Sequence, residues 1–230
     1  MKKLSLDDGI AFDVGANIGF YSLILSKLVK KVVAFEPEPM NLKLLNKNIH
    51  ENKIRNIEVI GMAVSDNTSK LHLGLSTDNF GDHQINSIDE DRKNITVEST
   101  NLDSHMSQKV ALLKIDTQGW EPKVIDGAKK LIIRDKPTIF MEFWPEGYKR
   151  SGLDFTKMMN FLEEVYGKIY LIDDRLNLVY PINKDSLQKR CKSKKGYLDL
   201  LFKSNMTTTD VWICLCKFRI KKIFSLFRLA

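Results

Sequence analysis

An apolar strand runs into a glycine-spaced turn, Ala11-Phe-Asp-Val-Gly-Ala-Asn-Ile-Gly19, and a second apolar strand then ends in a carboxylate, Val32-Val-Ala-Phe-Glu36; this pairing leaves the chain few folds to choose from. Strand, glycine turn, helix, strand and acidic residue in that order form the arrangement that binds a nucleoside-bearing cofactor at the carboxyl ends of parallel strands. Glycine spacing narrows the cofactor. A dinucleotide turn, G-x-G-x-x-G, uses its third glycine for close packing of helix on strand. Here Gly15 and Gly19 flank Asn17, and the bulky Phe20 stands where a third glycine would fall, which disfavours a pyrophosphate cradle. Asp13, ending the first strand, suits a cofactor with positive charge and amine hydrogens, and S-adenosylmethionine has both. Glu36 offers paired oxygens to two ribose hydroxyls, a contact any adenosine cofactor would reward. A βα turn with no ligand is the plain alternative.

The rhythm continues downstream. Residues 10–14 read as the first strand and residues 19–29 as a helix with Tyr21, Leu23, Ile24, Leu25 and Leu28 on a broad apolar face. Residues 31–36 form the second strand, Pro39 opens a second helix through Glu51, and residues 57–64 form the third strand. Three βα steps imply a parallel sheet with right-handed crossovers. Residues 65–101 break the pattern, with β-like pieces at 70–75 and 94–98 around a polar stretch; a substrate-side flap and a surface hairpin both fit. Residues 110–116 resume as a buried strand, Pro122 opens a helix, and residues 137–143 form a strand ending beside Glu142. Residues 155–165 read as helix, and 168–172 and 197–203 as closing strands.

A chain of 230 residues with 43% hydrophobic and 28% charged residues fits one soluble α/β domain. The net charge of +7 sits at one end: from residue 184 onward twelve Lys and Arg face three Asp. That basicity bears on what the carboxyl-terminal end touches, and says little about the cofactor site. Cys191, Cys214 and Cys216 are too few for a disulfide framework, and no signal peptide is legible at the start, so a cytoplasmic setting is expected. Cys214 and Cys216 have no neighbouring His or Cys to complete a zinc set.

With these segments placed, the chain resembles the FkbM family of S-adenosylmethionine-dependent methyltransferases. The resemblance rests on FDVGANIGFYS from Phe12, AFEPEP from Ala34, AVSD from Ala63, LLKIDTQGWE from Leu112 and IFMEFWP from Ile139, five motifs in order across residues 9–204. It implies a Rossmann-like class I methyltransferase sandwich, an α/β fold whose seven-stranded, mostly parallel sheet has its last strand antiparallel. It also implies O-methylation of hydroxyls on sugars or polyketide-like metabolites. By the same resemblance Asp13, Gly15, Asn17 and Gly19 form the cofactor loop, Glu36 holds the ribose, and Ala63, Val64 and Ser65 lie near the adenine. Two departures stand out. Gln118 occupies a position where the family commonly has Glu, which removes one candidate base, and only eight residues precede Gly9, where relatives carry a longer extension.

Methyl transfer from a sulfonium is an in-line displacement, so the protein must align an acceptor oxygen and remove its proton. Asp116 and Glu142 end strands on the expected cofactor side and are the leading pair, Asp116 to position or deprotonate the acceptor and Glu142 to assist; capping a helix or binding the methionine amine is the competing role. Lys114 lies on the same strand face as Asp116 and is placed either in an ion pair with it or against a sugar oxygen. Glu121 before Pro122 reads as a structural cap, and Trp120 and Trp144 as packing or as a stacking surface for a sugar. His83 and His105 fall in the irregular region that can fold over the cofactor, whereas His50 and His72 fit solvent-facing positions. Asp78, Asp82 and His83 match no metal-ligand spacing, and no metal is expected.

Residues 1–204 are therefore read as one catalytic domain and residues 205–230 as a basic amphipathic tail. In that tail Cys216, Ile220, Ile223, Phe224 and Phe227 recur at helical spacing opposite Lys217, Lys221 and Arg228. It is too charged to span a bilayer, and it fits either an anionic membrane surface or a docking face on protein. A cofactor-fold protein that binds nucleic acid or membrane without chemistry is the rival reading. Retention of Asp13, Glu36 and Asp116 favours the enzyme, and the absence of aromatics interleaved with basic residues near the site speaks against nucleic acid.

Overall fold

The computed structural model describes residues 9–76, 82–85, 93–173, 176, 178–193 and 196–204. The expected tail helix at 205–230, with Cys214 and Cys216, lies outside the described residues, as do Asp78 and the residues before Gly9.

Strand β1 (Ile10–Val14) is buried at every position, which is why it reads as a continuous apolar run instead of an alternating one. Helix α1 (Phe20–Leu25) is shorter than the spacing predicts: the Ser26 hydroxyl donates to the Leu23 carbonyl at 2.7 Å, and the chain continues in turns. After β2 (Lys31–Phe35), helix α2 (Pro39–Glu51) begins where Pro39 fills the first turn and the Glu38 carboxylate caps the Asn41 N–H at 2.6 Å. The strand predicted at 57–64 is two. β3 (Ile57–Ile60) stays with β2, and beyond Gly61 and Met62 the chain leaves the sheet as β4 (Ala63–Val64).

The irregular region builds a second, four-stranded sheet in the order β4-β7-β5-β6 from β4, β5 (Lys70–Leu75), β6 (Gln84–Ile85) and β7 (Lys93–Thr100). A short 3₁₀ turn at Leu102–His105 leads into β8 (Val110–Ile115). The helix that Pro122 opens is also two, α3 (Glu121–Asp126) and α4 (Lys129–Asp135). They part at Gly127, where a Cβ would lie 2.0 Å from the Ser65 carbonyl oxygen, so only glycine admits the chain leaving β4. β9 (Thr138–Phe143), α5 (Pro145–Arg150), α6 (Thr156–Tyr166), β10 (Ile169–Asp173), β11 (Leu178–Ile182), α7 (Lys184–Ser193) and β12 (Leu198–Phe202) complete the described chain.

The main sheet has eight strands, ordered β11-β10-β12-β9-β8-β1-β2-β3, instead of the seven expected. β9, β8, β1, β2 and β3 run parallel, and β12 is antiparallel to both neighbours. The extra strand is β11, an edge strand antiparallel to β10. Its exposed Leu178 and its Pro181 give it neither apolar alternation nor a full set of donors, so its sequence does not announce a strand. Among the described residues no helix is long and apolar enough to cross a membrane.

The two faces of this sheet are covered unequally. One carries the large core, in which Phe12, Phe35, Leu113, Met141 and Phe202 pack with residues of α3 to α7 such as Val124, Leu131, Tyr148, Leu162 and Leu187. On the other face α1 covers Ala11, Val32 and Leu112, and α2 covers Ala34. Beyond them Ile172 and Leu201, with Phe140, Tyr170 and Val179, form a patch made of strand residues alone among those described.

Candidate active site

The glycine turn folds against the end of β8. Gly15 adopts φ 72°, and a Cβ there would sit 1.9 Å from the Asp116 carbonyl oxygen, so backbone packs directly on backbone. The Gly15 and Ala16 N–H groups both donate to the Phe35 carbonyl, at 3.1 and 3.0 Å. Asn17 takes φ 51°, which turns its N–H onto Glu36 Oε2 at 2.7 Å, while the Glu38 N–H donates to Glu36 Oε1 at 2.9 Å. Burial raises the Glu36 carboxyl to about 7, against the opposing pull of these two hydrogen bonds.

An open cavity lies between this turn and the small sheet. Phe35, Val64, Leu73 and Ile85 give it apolar walls, with Asn17 and Glu36 along one edge and Asp116 to Gln118 along another. His83, just before β6, also lines it, so the irregular region does fold over this side. Gly15, Ala63 and Val64 line it as expected.

Three expected cofactor residues do not. Gly19 (φ 93°) faces Leu45, whose Cδ1 would be 2.3 Å from an added Cβ; it lets α1 approach α2 and does not line the cavity. Ser65 is buried, with its hydroxyl accepting from Trp120 Nε1 at 3.3 Å and donating to Asp66 at 3.1 Å. Asp13 is wholly buried beneath the loop. One of its oxygens accepts the Ser22 hydroxyl at 2.6 Å, and the Lys114 ammonium lies 3.1 Å from the other as an ion pair. Its charge is thus answered inside the protein, and it does not line the cavity.

Lys114 joins the two halves of the site. Its ammonium donates to the Gly15 carbonyl at 2.7 Å, lies 3.8 Å from Asp116 and sits over the Tyr21 ring at 5.2 Å. Burial alone would lower its pKa, but Asp13 and Asp116 outweigh burial and hold it above the ordinary lysine value. Gln118, at φ 53°, donates from one amide nitrogen to Asp116 at 2.8 Å and to Glu142 at 3.1 Å. Burial, followed by the Asp116, Glu121 and Asp199 carboxylates, pushes Glu142 well above the usual carboxylate range. Glu121 turns back to accept from the Thr117 N–H and hydroxyl and from the Gly119 N–H, at 2.7, 2.8 and 3.1 Å, which ties the loop after β8.

A second depression, a groove of about 740 Å³ between α1 and the sheet, starts from the same carboxylates. Tyr21, Lys114, Asp116, Glu142 and Asp199 form its polar end, and its remaining lining residues are apolar. Asp116 is the one described residue that lines both cavities. Asp116, Glu142 and Lys114 are thus brought together as expected, and Tyr21, Gln118 and Asp199 join them. Asp199 had a signal in the alternation Leu198, Leu200, Phe202 facing the core, which puts it on the opposite face, paired in register with Glu142. Tyr21 was hidden in an apolar helix face. Trp120 is buried and Trp144 packs under Arg150 at 5.4 Å; neither lines a cavity. His105 lies 3.0 Å from the Thr100 hydroxyl and edge-on to Phe35, outside both cavities. His50 and His72 are exposed. Among the described residues no group of three His, Cys, Asp or Glu is arranged to hold a metal.

Sheet order, the glycine turn and the acid at the end of β2 define a methyltransferase-like α/β protein. The family model described as the methyltransferase FkbM domain matches residues 13–170, and the chain belongs to that family. Among solved structures it is similar to an FkbM methyltransferase from Methylobacillus flagellatus KT, at 18% identity and a TM-score of 0.56, over 86% of this chain and 44% of that one. The chain therefore spans less than half the length of that relative. It is also similar to an rRNA methylase from Streptococcus thermophilus (15% identity, TM-score 0.46, 86% and 89% covered). A further similarity is to a Streptococcus mutans structure described as a methyltransferase in complex with SAH (14% identity, TM-score 0.49, 86% and 89% covered). Comparison with curated protein sequences gave no match.

Proposed function

We propose that this chain is an S-adenosylmethionine-dependent O-methyltransferase acting on a hydroxyl of a sugar, glycan or polyketide-like metabolite. Asp116 carries the reading, because it lines both the cavity and the groove. The residues of the first cavity fit the cofactor. Each Glu36 oxygen accepts one backbone N–H and keeps acceptor capacity for a ribose hydroxyl. Val64, Leu73 and Ile85 offer an apolar slot for adenine, and Gly15 and Asn17 present main chain along the cavity edge. When bound, the cofactor supplies an electrophilic methyl on a sulfonium.

The chain's own residues handle the acceptor. Asp116, its side chain 37% exposed, takes the proton of the acceptor hydroxyl as the new oxygen–carbon bond forms. The Lys114 ammonium lies 3.8 Å from Asp116, and the Gln118 amide fixes the orientation of that carboxylate. Glu142, protonated, donates a hydrogen bond to an acceptor oxygen and positions it. The basic segment 205–230 is proposed to touch an anionic membrane surface; co-sedimentation with phosphatidylserine vesicles, unchanged when the segment is deleted, would end that part of the reading. Titration calorimetry with S-adenosylmethionine, its demethylated product and NAD tests the rest: the first two are expected to bind and NAD is not, and preference for NAD would refute the function.

A further inference from the structure

The geometry points to an amphiphilic acceptor, a molecule that carries its reacting hydroxyl on a polar head and continues into an alkyl or aromatic body. This inference rests on the methyl-transfer reading above and narrows the substrate class of the same site.

The argument starts from where the acceptor oxygen must stand. It belongs at Asp116, the residue shared by the two cavities, and the nucleoside takes the cavity on the β1 and β2 side. The rest of the acceptor then leaves through the groove. That groove is segregated along the strand direction. Lys114, Asp116, Glu142 and Asp199 cluster at the carboxyl ends of β8 and β9, where Asp199 pairs with Glu142 across β12. Toward the opposite ends of the strands the walls are Leu112 and Phe140 on the strands, Ile24 on α1 and Leu28 in the turn after it. None of these lower residues offers a hydrogen bond. A free sugar pushed along the groove would strip water from hydroxyls and find no partner for them, whereas a hydrocarbon gains by leaving water.

A second observation concerns the apolar end. Phe140 and Ile172 line the groove and also belong to the cluster with Tyr170, Val179 and Leu201, in which Ile172 and Leu201 are buried. The apolar lining therefore merges with the hydrocarbon interior of the sheet and meets no polar group there among the described residues. The buried-charge end and the hydrocarbon end of one channel match the two ends of one amphiphile.

Alkyl β-D-glucosides test this with the full-length chain saturated with S-adenosyl-homocysteine. Glucose and the hexyl, octyl and decyl glucosides, each below its micelle-forming concentration, are titrated by calorimetry. Affinity is expected to rise about fourfold per buried methylene, the ~0.8 kcal/mol transfer free energy at 1.4 kcal/mol per tenfold, and glucose alone to show no measurable binding. Phe140→Glu is expected to lose tenfold or more for decyl glucoside and to flatten the chain-length dependence. Leu28→Glu, on the opposite wall, serves the same purpose should the first variant misfold. Equal affinity for all four probes, or no binding to the full chain because segment 205–230 or a second copy already fills the groove, overturns the inference. A titration of the unliganded chain with S-adenosyl-homocysteine, run beside these, separates the two failures: no nucleoside binding refutes the methyl-transfer reading, and intact nucleoside binding without chain-length dependence refutes the amphiphile alone.

Discussion

The cavity beside the glycine turn and the groove share a carboxylate but are built by different means. The loop edge of the cavity is held by main-chain hydrogen bonds over a short stretch of sequence, as the N–H groups of Asn17 and Glu38 converge on Glu36 and those of Gly15 and Ala16 on Phe35. The groove is made by side chains from α1, β8, β9, β10 and β12, which meet only once the sheet has closed. Main-chain sites tolerate substitution poorly at glycines and well elsewhere. Side-chain sites respond residue by residue, and the variants below exploit that contrast.

The largest effect is expected at the shared residue. Asp116→Asn should lower turnover by roughly 10²- to 10⁴-fold while leaving nucleoside affinity within a factor of a few, read by single-turnover kinetics beside calorimetry; unchanged turnover would remove Asp116 from its role. Next comes a pH effect confined to the cavity. The folded-state carboxyl of Glu36 lies near 7 against an ordinary value of 4.5, so between those values the native state binds more protons than the unfolded state. Stability then falls as pH rises through that window, by on the order of 3 kcal/mol from this group. Urea unfolding between pH 4.5 and 8 should show a slope of this sign, and Glu36→Gln should reduce it by this group's share, leaving that of the raised carboxyls of Glu121 and Glu142.

Glu36→Ala sharpens the comparison from the ligand side. Loss of two charge-assisted hydrogen bonds should weaken nucleoside binding by roughly ten- to a hundredfold, with alkyl glucoside binding in the groove unaffected. Gly19→Ala separates packing from binding: the positive φ and the Leu45 contact should cost about 1–3 kcal/mol of stability, and the nucleoside dissociation constant should stay the same. The smallest effect belongs to Ser65→Ala, about 1 kcal/mol or less in thermal unfolding, with no change at either cavity. A large loss of nucleoside affinity there would restore Ser65 to the cofactor contacts.

Much of the cavity was legible because its signals are local. Glycine spacing, a strand-ending acid and Pro39 each mark a backbone event within a few residues, and Gly15, Asn17, Glu36, Ala63 and Val64 fall where the motifs put them. Residues judged by position alone fared differently. Asp13 ends its strand as expected, yet strand pairing brings Lys114 over it, a contact between residues 13 and 114 that no local pattern reports. Asp199 and Tyr21 escaped for the same reason, since their importance comes from neighbours across β12 and α1. β11 was missed because an edge strand need not alternate, and the splitting of 57–64 because β4 finds its partner in β7, far along the chain.

The contact between Gly15 and the Asp116 carbonyl has a thermodynamic corollary. Loop and catalytic strand touch with no side chain between them to absorb a displacement, so a nucleoside that settles the loop also settles the carboxylate. Occupancy of either cavity should then tighten the other by the same factor, as linkage requires, and the signature in titration is an equal fall in each ligand's dissociation constant once the other is bound.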